Sequence, residues 1–221
     1  MQPPPPPPPP QPVGLQGYPV RFSVDYPDRD LDRLTTFFRL IVAIPIFIVL
    51  GAVSGGTSTW TNDARTTLVV GAGGLLFFGP LLMILFRQKY PRWWFDWNLE
   101  LLRFSNRVSA YLLLMDDRYP STDEPQGVHL DVAYPDVPRD LNRWMPLVKW
   151  FLVIPHVIVL AFVGIAAFFV VIVAWFAILF TGRYPRGMFE FVEGVLRWNV
   201  RVLAYALVLF TDAYPTFSLQ A

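Results

Sequence analysis

From Trp144 to Phe180 the chain runs for 37 residues with a single charged side chain, Lys149. A continuous apolar surface of that length must be covered by protein or by lipid, and this narrows the fold more than any other feature. One helix of that length would measure about 55 Å, well past the roughly 30 Å hydrocarbon core of a bilayer. Two segments of about 17–20 residues, 144–163 and 164–180, turning near Gly164, match that thickness better and are expected here. A second apolar region is visibly interrupted: segments 36–53 and 67–86 flank the polar loop "SGGTSTWTNDART". Hydrophobic residues make up 54% of the chain and mean hydropathy is +0.40, with the apolar residues gathered in blocks, which is membrane composition. Both regions are short for a pair of spans, so each hairpin either crosses fully or dips in and returns.

Ahead of each apolar region stands nearly the same phrase, "RFSVDYPDRDLDRL" at 21–34 and "HLDVAYPDVPRDLNRW" at 129–144. The correspondence continues through Arg39 and Lys149, Pro45 and Pro155, "LFRQKYPRWWFDW" and "LFTGRYPRGMFEF", and "LLRFSNRVSAYLLLMDDRYP" and "VLRWNVRVLAYALVLFTDAYP". Such self-similarity reads as two tandem units following a proline-rich tail, residues 1–17. The first unit is 18–120, with a hairpin at 36–86 and a third helix at 92–114. A linker, 121–127, leads to the second unit, 128–221, with a hairpin at 144–181 and a third helix at 187–210. The phrases alternate apolar and polar residues and read as strands. Asp28, Asp30, Asp136 and Asp140 stand where helix caps are expected. Each strand is expected to pair with the Tyr-Pro end of a third helix, "YLLLMDDRYP" or "LVLFTDAYP", within its own unit or across the two.

Charge sets the expected orientation. Arg29, Arg33 and Arg39 precede the first hairpin and Arg87, Lys89 and Arg92 follow it. Arg139, Arg143 and Lys149, then Arg183 and Arg186, frame the second. The positive-inside rule puts both termini in the cytoplasm of a multi-pass plasma-membrane protein. Each third helix carries a stripe of acids followed by arginines: Asp96, Glu100, Arg103 and Arg107, then Glu190, Glu193, Arg197 and Arg201. These fall on one helical face, opposite an apolar one, as in a helix lying in the membrane interface; a spanning helix with its stripe turned into a bundle is the competing reading. Arg103, Arg107, Arg197 and Arg201 are the candidate site residues. They either form structural ion pairs with the aspartates after each Tyr-Pro, Asp28 and Asp136 among them, or bind anionic lipid phosphates.

Little points to catalysis. The sequence carries no phosphate-binding loop, dinucleotide fingerprint, nucleophile elbow or zinc-protease signature. With no cysteine, disulfides and thiolate metal sites are excluded. His156 lies in an apolar segment, but the first unit has Ile46 there, and it reads as a packed polar residue rather than an axial ligand. No cofactor or metal is expected, and a net charge of +1 gives no reason to expect nucleic acid. The eight consecutive prolines of the tail form a stiff polyproline rod, a spacer or a ligand for a proline-binding groove.

The motif F/L-x-V-x-Y-P-D, an apolar hairpin with a central proline, then L-F-x-x-x-Y-P-R and a final D-x-Y-P, resembles a bacterial family catalogued only as a domain of unknown function. The resemblance covers residues 18–217 and implies a polytopic membrane protein, often in tandem units, of actinobacterial or similar origin. It brings no activity and no catalytic residue. The expected fold is an all-α integral membrane protein of two hairpin units, each with an interfacial helix and a small cytoplasmic β element. The expected role is a non-enzymatic scaffold or bilayer-shaping component, with a lipid- or small-molecule-binding accessory as the alternative. Its partners would be the bilayer, anionic lipids, and a membrane-protein complex or further copies of itself.

Overall fold

A computed structural model describes residues 18–54, 72–122, 124 and 126–220 of the protein. The polyproline tail and most of the loop between the first two apolar segments lie outside the described residues. The architecture is mostly helical, with one small sheet. Strand β1 (Val20–Val24) leads to α1 (Arg33–Val42), α2 (Ile44–Ser54), α3 (Ala72–Arg87) and α4 (Arg92–Leu112). Strand β2 (Val128–Val132) then leads to the short α5 (Val137–Asp140), α6 (Met145–Thr181) and α7 (Arg186–Ala206).

The alternation of each phrase is realised as a strand, but the partner differs from expectation. β1 and β2 pair with each other, antiparallel, with Phe22 opposite Leu130 at the centre of the register. Val20, Phe22 and Val24 turn inward together with Val128 and Leu130. Their side chains are large and β-branched or aromatic, and the matching inward faces of two strands bury them more fully than a helix end would. The sheet sits between the third helices in exchange: β1 packs on α7 and β2 on α4. Around it gather Phe95, Tyr90 and Phe210, in mutual ring contact, and Phe189, Tyr184 and Ile178 in the same core.

The second hairpin does not form. Residues 145–181 make one helix of 37 residues, and Gly164, the expected turn, lies inside it with open space around its α-carbon. The run after Val157 holds no proline, asparagine or glycine pair that would terminate a helix, so the ladder continues until Gly182. Gly182 has φ of +77° and caps α6 in the left-handed region, a conformation in which a side chain is strained. Replacing Gly182 with alanine is expected to cost about 1 kcal/mol, read as a lower thermal unfolding midpoint.

The first apolar segment is instead two helices. Ala43 separates α1 from α2, one residue before Ile44 and two before Pro45, whose missing N–H is tolerated in a first helical turn. The capping aspartate is also not the expected one. Asp32 accepts from the N–H groups of Leu34 and Thr35, whereas Asp28 lies upstream of the helix. Asp136 occupies the cap position of α5 without a side-chain bond to it.

Helix α6 is the one described helix long and apolar enough to cross a membrane, and only 17% of its most apolar 18 residues is buried inside the protein. Its buried positions fall in two groups, Pro146, Lys149 and His156 near the start and Ala167, Ala174 and Ile178 near the end. Between them no residue from Val157 to Ala166 is buried. Lys149 to Thr181 spans about 48 Å, while Arg186 to Tyr205 of α7 spans about 29 Å. The start of α6 meets Tyr205, Thr211 and Asp212 and its end leads directly into α7, so its uncovered stretch is the midsection.

Candidate functional site

A two-stranded sheet leaves two outer edges of unpaired backbone groups, which need partners when buried. The third helices supply them. On the β1 edge, Arg197 Nε donates to the Phe22 carbonyl at 2.9 Å, and the Val24 N–H donates to Glu193 Oε1 at 3.2 Å. Glu193 and Arg197, one turn apart on α7, also pair with each other at 2.5 Å. A second donor of Arg197, Nη1, holds the Leu219 carbonyl at 2.9 Å. On the β2 edge Arg103 Nε donates to the Leu130 carbonyl at 3.0 Å while pairing with Glu100 at 2.6 Å and lying 3.6 Å from Asp131. The Glu193–Arg197 pair thus presents an acceptor and a donor to β1, and Arg103 a donor to β2, in place of a third strand. The α7 clamp is the drier: its side chains are 13% and 14% exposed, against 29% and 56% for Arg103 and Glu100.

A second set of contacts fixes α1 and α6 to the ends of α4 and α7 and the segments that follow them. Arg39 of α1 donates to the carbonyls of Tyr111 and Asp116 at 2.5 and 2.9 Å, with its guanidinium 4.5 Å from the Tyr111 ring centroid. Lys149 of α6 donates to the Thr211 carbonyl at 2.7 Å, lies 2.7 Å from Asp212 Oδ1, and sits 4.9 Å from the Tyr205 ring centroid. The tyrosines of the two strand phrases complete the frame. Tyr26 donates to the Tyr184 carbonyl at 2.5 Å and Tyr134 to the Tyr90 carbonyl, with Arg186 and Arg92 over their rings. Spacing alone placed the arginine stripes but not these tyrosines, although their repeated Tyr-Pro setting was a signal that could have marked them.

The other candidate residues are placed as follows. Arg107 donates to the Ser121 and Thr122 carbonyls, and Arg201 to Thr216 Oγ1 and the Ser218 and Gln220 carbonyls. Asp28 lines a cavity of about 230 Å³ with Arg29, Arg183 and Arg186. Asp30 pairs with Arg183 at 2.8 Å, and Asp136 lies 3.5 Å from Arg139. The expected ion pairs between the third-helix arginines and Asp28, Asp30, Asp136 or Asp140 are therefore absent among the described residues. Those arginines bond mainly to backbone carbonyls, because the strand edges and the loops leaving the helices are what face them. The apolar sides of α4 and α7 are correspondingly buried, with Trp93 and Trp97 of α4 left exposed.

His156 is fully buried, accepts from Trp198 Nε1 at Nδ1 over 3.1 Å, and stacks on Phe217 with ring centroids 3.8 Å apart. An accepting Nδ1 places the proton of the neutral ring on Nε2. No group of three or more metal-ligating side chains is found among the described residues.

Gly194 lets the C-terminal segment close over α7. A β-carbon there would lie 2.8 Å from both the Leu219 side chain and the Leu219 carbonyl oxygen, the acceptor of Arg197. Gly194→Ala is expected to destabilise by about 1–3 kcal/mol, read by thermal unfolding in detergent, because a backbone atom has to give way.

Comparisons with curated proteins and with solved structures find no match. Residues 143–218, which hold α6, α7 and the segment that closes over them, match the family described as Domain of unknown function (DUF4389).

Proposed function

We propose that the chain is a non-enzymatic membrane scaffold that shapes the bilayer into which it inserts. The observation carrying this reading is the uncovered midsection of α6, where Phe162, Ile165, Phe168 and Phe169 are 56% exposed or more. Leaving that much apolar surface in water costs about 25 cal/mol per Å², so lipid is its natural surrounding. Both ends of α6 dock on one body made of the sheet, α4 and α7, so its exposed apolar midsection would enter from the side on which that body lies. The arginine distribution makes this the cytoplasmic side, with both termini there and a bacterial plasma membrane as the setting. Volume added to one leaflet bends the bilayer towards that leaflet.

The doubling of the sequence supports the same reading. The two strands pair about Phe22 and Leu130, and each is closed by the helix of the other unit. Two tandem units exchanging strands in this way form one rigid cap, which holds two apolar segments at a fixed separation.

Two measurements test this. The chain has no cysteine, so Leu147→Cys and Phe180→Cys can each be probed with an impermeant maleimide in sealed vesicles. Labelling of both from one side is expected; labelling from opposite sides would mean that α6 crosses and the one-sided wedge is wrong. Purified protein at high density is expected to tubulate flat liposomes, and unchanged vesicles would refute bilayer shaping.

A further inference from the structure

Between the start of β1 and the C-terminal segment lies a cavity of about 570 Å³ whose lining includes Tyr18, Arg21, Arg197, Arg201, Thr216 and Ser218. Its charge does not balance. Arg197 is paired with Glu193, but Arg201 is 4% exposed and has no carboxylate within 4.0 Å among the described residues. Its bonds to Thr216, Ser218 and Gln220 go to neutral oxygens, which hold the guanidinium plane without supplying negative charge. Among the described residues its Nε is buried without a hydrogen-bond partner. Burial first, and the nearby Arg197 second, hold the Arg201 pKa below the ordinary arginine value, as expected for a cation lacking its counter-charge. A buried guanidinium in this state is costly unless an anion completes it. Arg21, exposed on β1 opposite Asp131 in the register but with no ion pair within 4.0 Å among the described residues, adds a second cation to the same lining.

We propose that this cavity is an anion site that takes one phosphate group, as a mono- or diester, between Arg201 and Arg21, with hydroxyl donors from Thr216 and Ser218. Guanidinium forks match phosphate oxygens in geometry, and the hydroxyls can turn to donate. A lipid headgroup and a free phosphate share this chemistry. The lipid source is within reach, because Phe217, between the two hydroxyl residues, stacks on His156 of α6. The site goes beyond the bilayer-shaping reading and does not depend on it.

The test uses the full chain. Its thermal unfolding midpoint is measured in neutral detergent with inorganic phosphate against chloride at equal ionic strength. It is measured again in nanodiscs of phosphatidylcholine with and without phosphatidylglycerol. A ligand that binds only the folded state raises the midpoint with concentration. Stabilisation by phosphate or by phosphatidylglycerol is expected, with apparent affinity at least tenfold weaker in Arg21→Gln and unchanged in Arg139→Gln, an exposed arginine outside the cavity. A response to phosphatidylglycerol alone assigns the headgroup as the ligand; a response to phosphate in detergent assigns the free anion. Arg201→Gln is expected to abolish either response, and if it fails to fold, Arg21→Gln, whose side chain is exposed, carries the comparison. No stabilisation by either probe, or equal stabilisation of wild type and Arg21→Gln, overturns the proposal.

Discussion

Asp212→Asn is expected to destabilise the protein by about 3–5 kcal/mol, because it leaves the Lys149 ammonium buried without its counter-charge. Lys149 is 0% exposed and Asp212 15%, so solvent screens the pair very little. The Thr211 carbonyl and the Tyr205 ring remain, but they offset only part of the desolvation of a full charge. The double variant Lys149→Met with Asp212→Asn removes both charges while keeping most of the volume, and it is expected to recover most of the loss. Thermal or denaturant unfolding in a fixed detergent reads both variants. A loss below about 1 kcal/mol in Asp212→Asn would show that the pair does not anchor α6. The corresponding contact in α1, Arg39 on the carbonyls of Tyr111 and Asp116, has no carboxylate within 4.0 Å among the described residues and is not expected to respond in the same way.

These anchors were only half legible in the sequence. Lys149 stood out as the one charge in the long apolar run, and as the counterpart of Arg39 it was read as flanking charge at the membrane face. What the sequence could not convey was that Thr211 and Asp212, 62 and 63 residues away, return to meet it. Local periodicity does not report such contacts. The third helices were the most legible elements, since acids and arginines at intervals of three and four fix a helical face without help from tertiary structure. Periodicity assigns residues to a face but does not say what that face meets. The stripes were read as facing headgroups or nearby aspartates; Arg103 and Arg197 face strand edges, and Arg107 and Arg201 face the segments that follow the helices. The missing step was to ask where the outer N–H and C=O groups of two short strands would find partners.

The turn expected at Gly164 was set by bilayer thickness rather than by residues. A lone glycine in an apolar helix costs only about 1 kcal/mol relative to alanine, too little to break a ladder of 37 residues. The first apolar region was legible as interrupted because "SGGTST" and Asn62 offer turn chemistry that the second lacks. Ala43 and Pro45 add a break that bilayer arithmetic had no reason to place.

Arg197→Ala is expected to destabilise by about 2–4 kcal/mol, and to do so mainly by freeing β1. The side chain makes two charge-assisted bonds to carbonyls, Phe22 at 2.9 Å and Leu219 at 2.9 Å, and each such bond contributes about 1.5–3 kcal/mol when both groups are shielded. Its removal also leaves Glu193 as a poorly solvated carboxylate beside the Val24 N–H. Arg103→Ala removes the matching bond to Leu130 from a wetter setting, where Glu100 is 56% exposed, and about 1 kcal/mol is expected. Hydrogen exchange separates a local from a global effect. In Arg197→Ala the amides of Val20–Val24 are expected to exchange faster by at least tenfold, while those of α4 change little. A double-mutant cycle with Glu193→Ala is expected to give a coupling of about 1–3 kcal/mol, since the two residues close one edge together. Additive losses would mean that each residue holds its strand group independently. Equal losses in Arg197→Ala and Arg103→Ala would mean that neither burial nor the extra bond to Leu219 sets the strength of the clamps.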